Sequence, residues 1–315
     1  MINLGTLFVG KTNNLTLIRL IAAFTVIYGH TTAVVPGASP DWVTRTTNYA
    51  FSGGVAVDLF FLISGFLVSA SILNGGVRRY LIARILRIYP ALWANLILCT
   101  FVLGGLVTTL PLGEYLTHKD TWTYFTGLAG TFRGAFFLPG VFGNNFDHAM
   151  NGSIWSVLIE VWLYLFVLIA YLLRIMRNRA VFNIIFFITI VVLWSNPELT
   201  PALFRDATSR HVCLLFYIGS FLYINRDSVP VGPYYILMAL FLAGITIGTD
   251  RFAYAYVLVL VTFFCTVSFY TQFGWLDKYG DYSYGVYLYG WPAQQIIAHN
   301  FPTLSGPENC LYACN

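Results

Sequence analysis

The stretch Leu17-Ile-Arg19-Leu-Ile-Ala-Ala-Phe-Thr-Val-Ile-Tyr-Gly-His30 holds a permanent cation and an imidazole inside an otherwise apolar run. At 100° per residue, eleven residues close three helical turns with about 20° left over. Both side chains therefore leave one helix face, roughly 16 Å apart along the axis. In lipid, two ionisable groups on one face are costly, so that face must look onto protein or a polar cavity. The stretch reads as a membrane helix carrying a functional stripe.

Composition extends this reading to the whole chain. A mean hydropathy of +0.71, with 58% hydrophobic and 10% charged residues, excludes an ordinary soluble domain. Runs with few charges predict spans at 15–35, 54–73, 89–110, 153–173, 181–195, 210–224, 233–249, 252–270 and 282–299. The fifth is short enough to be tilted or partly re-entrant. The expected fold is an all-α integral membrane protein, a bundle of about nine to ten transmembrane helices with a cytoplasmic N-terminus. No charged-apolar-cleavage pattern precedes the first span, so a signal peptide is not expected. Residues 1–315 form one domain without internal repeats or low-complexity runs.

Orientation follows from the basic residues. With the N-terminus inside, Lys11, Arg78, Arg79, Arg84, Arg87, Arg174, Arg177, Arg179, Arg226 and Lys278 face the cytoplasm. The longer outer loops carry Arg45, Lys119, Arg133, Arg205, Arg210 and Arg251. The net charge of +4 thus reflects topology, and basic residues dispersed between spans exclude a nucleic-acid surface. The loop over 111–152 is glycine- and aromatic-rich, and is expected as a lid or re-entrant segment over the outer face. Cys99, Cys213 and Cys265 read as small apolar packers, while Cys310 and Cys314 are spaced to allow a pairing in an oxidising compartment.

The ionisable groups placed clearly within the membrane, away from span ends, are Arg19, His30, Asp58 and Glu160. Counting from the expected span ends at 1.5 Å per residue puts His30, Asp58 and Glu160 roughly 6–11 Å below the outer surface. A base and two carboxylates at one level form a candidate site. Bland roles exist for each: a packing histidine, a helix-start carboxylate at Asp58, and a structural partner of Arg19 at Glu160. On the cytoplasmic side, Arg84 and Arg87 share a helix face within Arg78-Arg79-Tyr-Leu-Ile-Ala-Arg84-Ile-Leu-Arg87-Ile-Tyr-Pro90. Guanidinium forks suit phosphate oxygens, and equally suit a positive-inside anchor on lipid headgroups.

Five ordered stretches together resemble the membrane acyltransferase-3 family of bacterial cell-envelope polysaccharide O-acyltransferases. Arg19 and His30 match its Arg-x10-His pattern. Gly54-Val-Ala-Val-Asp58-Leu-Phe-Phe-Leu-Ile-Ser64-Gly65-Phe66 is similar to its second-span signature, and Arg84-Ile-Leu-Arg87 to its R-x-x-R segment. Asn151-Gly-Ser-Ile-Trp155-Ser-Val-Leu-Ile-Glu160 and Tyr282-Ser-Tyr-Gly-Val-Tyr287-Leu-Tyr resemble the fourth-span and late-span motifs.

The resemblance implies transfer of an acyl group, acetyl being the first expectation, from cytoplasmic acyl-CoA to a hydroxyl of an envelope polysaccharide or glycolipid at the bacterial inner membrane. His30 would be the catalytic histidine with Arg19 its companion, and Asp58 and Glu160 functional carboxylates. Arg84 and Arg87, with Arg78 and Arg79 beside them, would hold the acyl-CoA. Ser64, Trp155, Tyr287 and Trp291 would line the cavity. No metal or tightly bound cofactor is implied.

Two departures stand out. Tyr289-Gly290-Trp291-Pro292 has an aromatic pattern where family members often carry a histidine before the proline. The family usually adds a final span, whereas residues 300–315 are polar and predict none. Buried charges alone would equally serve a transporter or glycan flippase, but that reading leaves the Arg84–Arg87 pair unexplained.

Overall fold

The structure is a computed structural model that describes residues 2–8, 13–130, 134–201, 204–269 and 278–314, apart from the side chains of Trp194 and Pro197. Lys11, Arg133 and the predicted span end at 270 lie outside the described residues. Among the described residues fourteen α-helices follow in order: α1 (Leu4–Phe8), α2 (Leu15–Val34), α3 (Trp42–Thr47), α4 (Ser52–Ile97), α5 (Gly104–Val107), α6 (Leu112–Thr117), α7 (Lys119–Ala129), α8 (Trp155–Leu172), α9 (Arg179–Ser195), α10 (Ala207–Ile224), α11 (Pro233–Thr246), α12 (Phe252–Val267), α13 (Ser283–Asn300) and α14 (Gly306–Cys314). A π-helical segment, Leu98–Leu103, joins α4 to α5. Among the described residues the only extended pairing is one isolated bridge, Asn3 with Pro230.

Each predicted span is helical. Leu15–Val34, Ser52–Val107 and Gly152–Leu172 are long and apolar enough to cross a membrane, while the apolar helices at α9, α11 and α12 are shorter. The second predicted span and the start of the third belong to one long helix, α4. Helix fills the interval 77–88 between them, as the shared face of Arg84 and Arg87 requires, and the break falls on one residue, Gly76 (φ 68°, ψ 176°). That left-handed backbone is open to glycine at little cost. The chain turns back there. Beyond the break, Tyr80 donates to Tyr164 O (2.8 Å) and Asn95 accepts from Asn151 (3.3 Å), so the second half of α4 runs antiparallel to α8.

The loop before α8 enters the bundle, as a re-entrant segment would. Ala149, Met150 and Asn151 are buried. Asn151 Nδ2 donates to Leu288 O (3.0 Å) in α13, and its Oδ1 accepts from the Ser153 amide (3.2 Å) and hydroxyl (2.8 Å). An asparagine so satisfied can start a helix inside protein, because it meets the backbone's demand for partners. α8 therefore begins below the bundle surface.

Two small residues fix the α4–α10 crossing. A Cβ on Gly65 would sit 1.9 Å from Phe216 O, and one on Gly219 2.1 Å from Leu62 O. Backbones this close need glycine on both sides. Gln294 Nε2 donates to Ile27 O (3.0 Å), tying α13 to α2. The polar segment after 300 forms α14, whose Asn309 donates to Gln294 O (3.2 Å). Cys310 and Cys314 both lie on α14 as free thiols.

Candidate active site

Four helices meet around a cavity of about 90 Å³ at the Arg19 end of α2. Arg19 enters from α2 and Ser64 from the first half of α4, while Arg84 and Arg87 come from its second half and Glu160 from α8. Tyr284 and Tyr287 of α13 complete the wall. The reversal at Gly76 explains how residues twenty apart in sequence share one cavity.

Among the described residues, three guanidiniums face two carboxylates here. Asp281, just before α13, carries Arg19 at 2.6 Å and Arg87 at 3.3 Å on Oδ2. Its Oδ1 accepts from the Ser283 amide (3.1 Å) and hydroxyl (2.5 Å), which anchors it to the helix start. Glu160 Oε1 accepts from Ser64 Oγ (2.8 Å) and, in a short hydrogen bond, from Tyr164 OH. The Arg84 guanidinium lies over the Tyr164 ring at 5.3 Å. Among the described residues, Arg84 Nε and Tyr284 OH are buried without a hydrogen-bond partner. One surplus positive charge and two unused donors create a demand for acceptor atoms.

One turn along α13 from Tyr287, Trp291 donates to Ala149 O (3.1 Å) and meets the His30 ring edge-on, with centroids 4.9 Å apart. Phe51 approaches the same imidazole at 6.1 Å. His30 is half-buried and makes no hydrogen bond among the described residues. The α2–α13 seam thus leads from the arginine cavity to an aromatic-walled imidazole.

The structure separates groups that depth counting placed together. Asp58 meets neither His30 nor Glu160: its Oδ2 accepts from His211 Nε2 (3.1 Å) and Tyr256 OH (2.5 Å). Glu160 bonds Ser64, six residues or about 9 Å beyond Asp58 along α4. The counting failed because α8 starts inside the bundle and not at its surface. Arg19 pairs with Asp281 and not with Glu160.

Among the other expected residues, Ser64, Tyr287, Arg84 and Arg87 line the cavity and Trp291 touches His30. Trp155 packs against the core, off the cavity. Arg78 and Arg79 are exposed, and Arg79 borders a shallow groove with Ser71 and Asn74 that shares Leu67 with the cavity. Sequence reasoning missed Asp281, Tyr284, His211 and Tyr256. His211 carried a usable signal, since it falls inside the predicted span 210–224.

The acyltransferase-3 profile, described as an acyltransferase domain, matches residues 12–314. The chain belongs to this family and is an acyltransferase acting with groups other than aminoacyl groups. It is similar to an O-acetyl transferase of Shigella phage Sf6, 27% identical over 305 residues, covering 91% of this chain and 86% of the relative. It is also similar to nodulation protein 10 of Rhizobium leguminosarum bv. viciae, 34% identical over 170 residues, 50% of this chain and 43% of that protein. No solved structure matches.

Proposed function

We propose that this enzyme moves an acetyl group from acetyl-CoA, held at the Arg19 end of the bundle, to a hydroxyl of a cell-envelope polysaccharide or glycolipid at the His30 end. In this reading about nine to ten helices span the bacterial inner membrane with the N-terminus cytoplasmic. The acetyl group is suggested by the phage relative's name. The carrying observation is the cation-rich cavity whose α2–α13 wall continues to His30.

The chemistry follows from the groups present. Arg84 and Arg87 hold the phosphates of the donor, with Arg79 at the outer edge, and Arg19 stands behind them. The pantetheine arm lies along Ser64 and Tyr287 and presents its thioester toward His30. The neutral imidazole takes the proton of the acceptor hydroxyl as its oxygen attacks the thioester carbonyl. Collapse of the tetrahedral intermediate expels the thiolate, which recovers that proton from the imidazolium. Acetyl-CoA and a sugar hydroxyl become an O-acetyl ester and free CoA.

The test compares purified wild type with His30→Ala, using radiolabelled acetyl-CoA and surface polysaccharide stripped of esters by mild alkali. Loss of a general base predicts a fall in kcat of about 10² to 10⁴-fold. Equal transfer by the two proteins would remove His30 from the mechanism.

A further inference from the structure

A second polar cluster lies at the opposite end of the bundle from the arginine cavity, where α4, α10 and α12 begin. Asp58 is six residues into α4, His211 four into α10 and Tyr256 four into α12. The Gly65–Gly219 crossing, two turns further along both α4 and α10, keeps these helix starts side by side. His211 and Tyr256 both bond Asp58 Oδ2, at 3.1 and 2.5 Å, and their rings stack at 6.0 Å. The His211 ring presents Nε2 to the carboxylate, and its other nitrogen, Nδ1, makes no hydrogen bond among the described residues. Asp58 Oδ1 takes no further hydrogen bond among the described residues.

Aromatic surface adjoins these acceptors. Tyr49 lies 5.2 Å from Tyr256 and 5.4 Å from Phe252, and it is 43% exposed while they are buried. Phe51, two residues on and so at most about 7 Å along the chain, touches the His30 ring. An exposed aromatic face beside fixed hydrogen-bond acceptors suits the apolar face and hydroxyl rim of a sugar ring. The negative Asp58 opposes phosphate or carboxylate ligands.

We propose that Tyr49, His211 and Asp58 form the subsite that holds a sugar of the acceptor glycan, with Tyr256 fixing the carboxylate and the neighbouring hydroxyl delivered to His30. This rests on the O-acetyl transfer reading above. Tyr49 supplies the stacking face, Asp58 Oδ1 accepts from one sugar hydroxyl, and His211 Nδ1 hydrogen-bonds another.

The test measures both binding of de-esterified surface polysaccharide to purified protein and steady-state transfer from acetyl-CoA. Tyr49→Ala and His211→Ala should each weaken polysaccharide binding and raise acceptor KM tenfold or more. Donor KM should stay within twofold of wild type and kcat within threefold, and Tyr49→Phe should restore the acceptor KM. Unchanged acceptor binding in Tyr49→Ala overturns the proposal, even where His211→Ala fails to fold, because Tyr49 is exposed and free of hydrogen-bonding duty to Asp58. A collapse of kcat at unchanged acceptor KM overturns it as well. Wild type that binds polysaccharide without transferring acetyl would sink the functional reading alone, and weaker binding by Tyr49→Ala would still support the subsite. Wild type that neither binds nor transfers overturns both.

Discussion

The two polar clusters of this bundle solve the same problem, a carboxylate among apolar helices, in opposite ways. At the Asp58 end one carboxylate meets one imidazole and one phenol, and both bonds fall on a single oxygen. At the Arg19 end, among the described residues, two carboxylates face three guanidiniums, and a buried Arg84 Nε and Tyr284 OH are left over. The first arrangement is nearly balanced and accepts hydrogen bonds. The second is short of acceptors and calls for an anion. Buried polar groups are costly unless paired, so an unbalanced cluster persists most readily where a ligand completes it. The difference assigns donor chemistry to one end and hydroxyl chemistry to the other.

The largest effect that would break this contrast comes from the cations. A charge-assisted hydrogen bond contributes about 1.5–3 kcal/mol, so removing one raises a dissociation constant by roughly tenfold to a hundredfold. The double variant Arg84→Ala/Arg87→Ala should raise the acetyl-CoA KM by at least about a hundredfold and leave the acceptor KM within a few-fold. Steady-state kinetics with each substrate varied in turn checks the split. Equal shifts in both constants would show that the two ends are not chemically distinct.

How far this contrast was legible in the sequence depends on the kind of information each residue carries. The helices were readable because apolar runs of span length are a local signal, and α2, α8 and α13 fall where the runs predict. Arg84 and Arg87 at the cavity were also readable, since two residues three apart share a face whatever surrounds them. The partner of Asp58 was not readable. It depends on α4 crossing α10 at Gly65 and Gly219, a contact between segments more than 150 residues apart. Glu160 was misplaced in depth for a related reason: Asn151 satisfies a helix start inside the bundle, and span counting assumes that starts lie at the surface. Asp281, one residue before a predicted span, looked like an ordinary boundary residue until Arg19 and Arg87 converged on it.

Asp281 gives a sharper and smaller test of the unbalanced end. It neutralises two guanidiniums in the free protein, where it is part-exposed and screened by solvent, so its contribution to stability is about 1 kcal/mol or less. Asp281→Asn should lower the melting temperature of the ligand-free protein slightly. Donor phosphates would then relieve a repulsion that the carboxylate no longer relieves, so the stabilisation on adding acetyl-CoA should grow. Thermal shift measured with and without acetyl-CoA separates the two states. A smaller ligand-induced shift in the variant would mean that Asp281 positions the arginines for the donor more than it competes with it.

The smallest expected effect concerns the segment that carries Tyr49 and Phe51 at the balanced end. Asp41 spans it. Oδ1 accepts from the Thr44 amide (2.8 Å) at the start of α3, and Oδ2 from the Ser52 amide (2.7 Å) and hydroxyl (2.6 Å) at the start of α4. Burial pushes the Asp41 carboxyl up, but the hydrogen bonds from Ser52 and Thr44 more than offset it and hold the group below its ordinary value of 3.8. A carboxyl depressed in the folded state stabilises fully above the unfolded value, and that stability is lost as pH falls through the folded one. Asp41→Ala should therefore cost about 1 kcal/mol at neutral pH, the usual penalty for losing a helix cap. The gap to wild type should close only as the pH drops below 3.8. Melting curves of both proteins from neutral pH into that acid range would show the convergence, and a gap that stays constant throughout would mean that the carboxylate's charge contributes nothing to holding the segment that sets Tyr49 beside Tyr256 and Phe51 beside His30.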